Sequence, residues 1–226
     1  MQFDYLQKPD FTMLRATFHA PGEQLLVEAS AMVAKDGGVE MKTQIQGGIL
    51  AAAKRKMLGG ESLFQNTFTA TAPGQRLFIA PAPEGDVEAI QCDGVTPVFL
   101  SSGAFVASTP SVTLDTKWGG AKGFFSGAGL VLLKAQGQGP LFFSAYGGIH
   151  AIDVGPGGYI CDTGHIVGFT GGLTYTVQKV GGLKSLLMSG EGLVCNFQGQ
   201  GRLFLSTRNP GSLASFLQPF RKTGSS

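Results

Sequence analysis

"LLVEASAMVAKDGGVEMKTQ" (25–44), "VFLSSGAFVASTPSVTLDTK" (98–117) and "YICDTGHIVGFTGGLTYTVQ" (159–178) align without a gap. Val33, Val106 and Val167 coincide, as do Ala34, Ala107 and Gly168, and a turn follows each time. Past the turn the chain alternates. Val39, Met41 and Thr43 fall on one face and Glu40, Lys42 and Gln44 on the other, and Val112/Leu114/Thr116 and Leu173/Tyr175/Val177 repeat the pattern. A side-chain period of two is that of a half-buried β-strand.

A second matching segment follows each window: "GESLFQNTFTATAPGQRLFIA" from Gly60, "GAGLVLLKAQGQGPLFFSA" from Gly127 and "GEGLVCNFQGQGRLFLST" from Gly190. Each opens on Gly-x-x-Leu and ends in a Leu-Phe pair: Leu77-Phe78, Leu141-Phe142 and Leu203-Phe204. Three copies of one β unit therefore fill the chain, at about 11–84, 85–146 and 147–217. Units too small to bury an apolar face alone stack on their neighbours, so the expectation is one domain over 1–226 with pseudo-threefold symmetry. Composition agrees with an all-β fold. Thirty-five glycines among 226 residues are about twice the usual share, and charged residues make up only 14%.

Between the two matching segments each copy carries a glycine pair, a basic residue and an apolar pair: "GGILAAAKRKMLGG", "GGAKGFFSG" and "GGLKSLLMSG". The glycine pairs are corners, and the alanine-rich insert of the first copy predicts a short helix near 49–58. Lys54, Arg55 and Lys56 would then share the pseudo-threefold axis with Lys122 and Lys184, an arrangement able to bind a small anion or RNA. The plainer reading is solvated lysines on turns, since no aromatic residues interleave the charge run. The net charge of +2 adds almost no long-range steering toward nucleic acid or anionic lipid.

Catalytic signatures are missing from the sequence. There is no His-x-His, no G-x-S-x-G and no G-x-x-x-x-G-K-[ST], so no catalytic residue and no cofactor is expected. The nearest approach to a metal or thiol site is "CDTGH", which puts Cys161, Asp162 and His165 within five residues. Against a metal-dependent enzyme, Cys161 aligns with Val27 and Leu100, and His165 with Ala31 and Ala104. Those equivalents are apolar, so the plainer reading is a core cysteine, which behaves as a small hydrophobe, and a turn histidine with its hydrogen bonds satisfied. Three cysteines far apart give no disulfide framework. The N-terminal "MQFDYLQKPDFT" reads as neither a secretory signal nor a transit peptide, and no apolar run reaches the length of a membrane span. The expectation is a soluble cytoplasmic protein.

"VEASAMVAKDGGVEM", "GGESLFQNTF", "SSGAFVAS", "DTGHIVGF" and "SGEGLVCNFQGQGRLFLSTR", taken in order, span almost the full length. They resemble an uncharacterised bacterial and archaeal family related to the fungal mitochondrial biogenesis protein of the altered-inheritance-of-mitochondria class. The resemblance implies an all-β fold similar to the Trp RNA-binding attenuation protein, whose β-sandwich units build rings. It implies no enzymatic activity and supplies no catalytic residues to carry over. With a mean hydropathy of +0.15, the expected role is a non-enzymatic scaffold or interaction module whose first partner is a further copy of itself.

Overall fold

The computed structural model describes residues 1–45, 64–115, 124–125, 130–179 and 193–221. These residues are almost entirely β, and every strand pairing is antiparallel. The chain starts with β1 (Gln2–Leu6), which lies along β2 (Met13–Thr17). Next come β3 (Gln24–Glu28), β4 (Met32–Lys35), β5 (Glu40–Ile45), β6 (Phe64–Thr69) and β7 (Arg76–Ile79). β7 pairs with β2 on one side and β4 on the other, while β6 lies between β3 and β5.

The middle of the chain pairs in the same order. β8 (Val87–Asp93), β9 (Val98–Ser101), β10 (Phe105–Ser108), β11 (Val112–Asp115) and the short β12 (Phe124–Phe125) precede β13 (Leu130–Ser144), a strand of fifteen residues. The first half of β13 pairs with β9 and β11, and its second half with β10 and β8. In the C-terminal third β14 (Ile149–Val154), β15 (Tyr159–Asp162), β16 (Ile166–Thr170) and β17 (Leu173–Lys179) lead to β18 (Leu193–Gly199) and β19 (Gly201–Ser206). β18 lies between β15 and β17, and β19 between β14 and β16.

Two further ladders join these sets. β3 pairs with β10, placing Val27 opposite Ala107, and β9 pairs with β16, placing Leu100 opposite Gly168. They link a continuous twelve-stranded sheet, beside which stand a four-stranded sheet ending in β4 and a three-stranded sheet ending in β15. The register breaks once on each of β4, β10 and β16, between Met32 and Ala34, Phe105 and Ala107, and Ile166 and Gly168. The residue passed over is Val33, Val106 or Val167. Such a bulge turns one side chain out of the regular alternation and bends the strand locally.

The buried residues form three apolar clusters. The first holds Phe18, Phe68, Leu77 and Ile79 and takes in Val106 and Phe142 from the following set of strands. The second is built on Leu100, Leu141 and Phe143 and takes in Val167 and Phe204. The third is aromatic: Phe169 contacts Phe99, Tyr175 and Phe197 at centroid distances of 5.1, 5.6 and 5.2 Å, an arrangement that gains quadrupole attraction beyond area burial. The Leu-Phe pairs read from the sequence sit in β7, β13 and β19, and Leu77, Leu141 and Leu203 are wholly buried.

The N-terminal segment is tied down by polar contacts. The Asp86 carboxylate, itself buried, accepts from Thr12 Oγ1 at 3.2 Å and from the Val87 amide at 2.8 Å. Lys8 donates to the Val87 carbonyl and reaches Asp86 and Glu88 while lying over the Tyr5 ring. Burial, then the charges of Glu88 and Asp86, push the Tyr5 hydroxyl up to about 12. Beside this knot Gly85 (φ +154°) crosses Gly147, and a Cβ at Gly85 would run into the carbonyl oxygens of Ala145 and Gly147.

Two details differ from the alternation pattern and the helix expectation. Val39 is buried but Met41, two residues along the same face, is 47% exposed, because among the described residues β5 is the last strand of its sheet, with β6 on one side and no strand on the other. The short helix expected near 49–58 lies outside the described residues. The α-helix that is described is α1 (Pro210–Leu217), where Asn209 caps the Gly211 and Ser212 amides and proline takes the first position.

Phe197→Ala should cost about 3–5 kcal/mol of unfolding free energy by opening a cavity in the third core, measured by urea denaturation. Acid should weaken the fold as well. The Arg76 guanidinium holds Asp36 below its usual range, and the Thr96 and Val95 amides do the same for Asp93. A depressed folded-state pKa gives stability that is present above the unfolded value and lost as pH falls through the folded one. The urea midpoint should therefore drop as pH falls below about 4, and Asp36→Asn should reduce that drop.

Candidate functional site

Cys161, Asp162 and His165 are neighbours along the chain but do not converge. Asp162 closes a turn, its Oδ1 accepting from the Gly164 amide at 2.6 Å. His165 is held by β19: Nδ1 lies 2.8 Å from the Ser206 carbonyl oxygen, which can only accept, so Nδ1 carries the proton. The Ser206 hydroxyl lies 2.8 Å from the Arg208 carbonyl oxygen and 3.3 Å from that of His165, either of which can accept its one proton. Among the described residues no set of three histidine, cysteine, aspartate or glutamate side chains is placed to hold a metal ion.

Cys161 has a different neighbour. β15 and β18 pair so that Cys161 stands directly opposite Cys195, both as free thiols. Burial pushes both up to about 12, with a smaller contribution from the Asp162 charge at Cys161 and from Cys161 at Cys195. Such thiols stay protonated near neutral pH and are poor nucleophiles. Sequence spacing separates the two cysteines by 34 positions, and only the strand pairing brings them together.

The basic residues Lys54, Arg55, Lys56, Lys122 and Lys184 lie outside the described residues. The described surface does carry exposed large apolar side chains. On β4, Met32 and Val33 are exposed, and on β15, Tyr159 and Ile160. The C-terminal segment adds Leu213, Phe216, Leu217 and Phe220, with the Phe216 and Phe220 rings in tilted contact at a centroid distance of 5.8 Å. Where exposed apolar residues cluster into a patch, they mark an interaction site. Sequence reasoning missed it on the strands because Val33 aligns with Val106 and Val167, which are buried. Among the described residues no helix is long and apolar enough to cross a membrane.

Residues 3–208 match the family model described as mitochondrial biogenesis AIM24. The chain belongs to the AIM24 family. An uncharacterised protein of Streptococcus pyogenes serotype M6 is 26% identical over 212 residues, covering 90% of this chain and 85% of that protein. The crystal structure of a Streptococcus pyogenes protein from a structural genomics programme superposes with a TM-score of 0.78 at 25% identity, covering 97% of this chain and 99% of the other. The resemblance and the all-β fold drawn from the sequence thus hold for this AIM24-family chain.

With its three thiols protonated, the folded protein should resist alkylation. Iodoacetamide at pH 7.5 should leave Cys92, Cys161 and Cys195 unmodified over an hour in native buffer and label all three in urea, as read by intact mass. Rapid native labelling of Cys161 would show a thiolate that the strand environment does not support.

Proposed function

We propose that this AIM24-family chain is a non-enzymatic cytoplasmic protein that works by assembly: a triplicated β unit that associates with copies of itself and presents a scaffold to other proteins. The observation that carries the reading is the exposed apolar surface on β4, β15 and the C-terminal segment, where Val33 is 56%, Ile160 62% and Phe220 74% exposed. A free monomer leaving these groups in water forgoes roughly 25 cal/mol per Å² of apolar surface that association would bury. The protonated thiols suit a protein whose cysteines pack rather than react.

A second reading rests on the sequence pattern of the basic corners. Lys54, Arg55, Lys56, Lys122 and Lys184 recur after matching glycine pairs and would give a small anion or RNA a site at the axis of the three copies. RNA would show a steep fall in affinity with salt, and a small anion a shallow one.

Native mass spectrometry separates the two. The assembly reading predicts a discrete oligomer without added mass at micromolar concentration, and a monomer throughout that range contradicts it. A retained anionic adduct that disappears in Lys122→Glu/Lys184→Glu would support the second reading.

A further inference from the structure

β4, β10 and β16 are built alike. Each is four or five residues long, each pairs with the last strand of its own set, and each carries a register break at a valine. Two of the three are joined on their other edge. β10 lies against β3 and β16 against β9, and in both joints the bulged valine is buried in the core of the preceding set: Val106 in the first cluster and Val167 in the second. β4 has no strand on that edge among the described residues. Its Val33 is exposed, and Ala34, whose counterpart Ala107 is wholly buried, is exposed too.

β15 shows the complementary gap. Its counterparts β3 and β9 each carry a neighbour on the outer edge, whereas among the described residues β15 ends its three-stranded sheet. At the position where Val27 and Leu100 are wholly buried, Cys161 is only half-buried. At the position of Leu25 and Val98, Tyr159 is exposed. Among the described residues no bulged valine enters the third core as one enters each of the first two, and Cys161, Tyr175 and Val177 lie only partly covered at its margin.

Resting on the assembly reading, we propose that β15 of one chain pairs antiparallel with β4 of a second copy, so that Val33 of that copy closes the third core. The register follows from the two joints within the chain. Leu26 faces Ser108 and Val27 faces Ala107, while Phe99 faces Phe169 and Leu100 faces Gly168. The same offset sets Ile160 opposite Lys35 and Cys161 opposite Ala34. Because the two edges differ, the contact is head-to-tail, and it closes into a ring when the rotation per chain permits. Edge pairing supplies main-chain hydrogen bonds, and the valine-to-core contact supplies the apolar area and the register. The same joint also covers two strand edges that would otherwise template aggregation.

Lys35→Cys and Ile160→Cys chains, carrying tags of different mass, are co-expressed, purified and treated with a short bismaleimide. The proposal predicts one cross-linked species containing one chain of each kind, absent when either variant is expressed alone. Failure to cross-link overturns it, as does a Lys35→Cys/Ile160→Cys double variant that links within a single chain while the mixture stays unlinked, since the two edges would then meet in one molecule. Val33→Asp and Ile160→Asp, exposed substitutions checked for native circular dichroism, should each abolish the oligomer seen for the unaltered chain. An oligomer that survives both variants overturns the edge joint while leaving the assembly reading intact. A monomeric unaltered chain removes both.

Discussion

Two short ladders, β3 against β10 and β9 against β16, carry one sheet on into the next set of strands. A set of so few strands on its own is too small to keep its apolar residues from water. Each ladder does two things at once. Its main-chain hydrogen bonds extend one sheet into the next, and its bulge drives a valine from one set of strands into the core of the set before it. Cohesion between sets and packing within them are therefore one interaction, and the cores cannot be completed independently.

That coupling accounts for where the protein exposes apolar surface. A chain of three such sets makes two joints internally and keeps one half-joint at each end, β4 at the start and β15 near the finish. Val33 and Ile160 stand in water for this reason, although their counterparts Val106 and Phe99 are buried. The chemistry elsewhere is quiet. Asp162 and His165 serve the turn between β15 and β16, and the facing thiols of Cys161 and Cys195 are held protonated by burial. The role proposed for this AIM24-family chain rests on those exposed surfaces.

Much of the fold was legible in the sequence because strand alternation and glycine turns are local signals. Val33, Val106 and Val167 could be aligned by eye, and the Leu-Phe pairs marked the strands that complete each core. What could not be read was the difference among equivalent positions. Val33 looks like Val106 in every local respect, yet one is exposed and the other buried, because burial depends on a strand more than sixty residues away or on another molecule. The pairing of Cys161 with Cys195 was hidden for the same reason, being set by the register of β15 on β18 rather than by spacing. Met41 shows the converse: its alternation is right for a buried face, but an edge strand has too little above it.

Amide exchange across Met32–Lys35 and Tyr159–Asp162, followed by mass spectrometry over a hundredfold range of protein concentration, addresses the head-to-tail joint without altering a residue. If the two open edges complete each other between chains, both segments slow together as concentration rises, while Phe105–Ser108 and Ile166–Thr170 stay protected throughout. Exchange on β4 and β15 that is independent of concentration, whether fast or slow, would contradict the joint between copies.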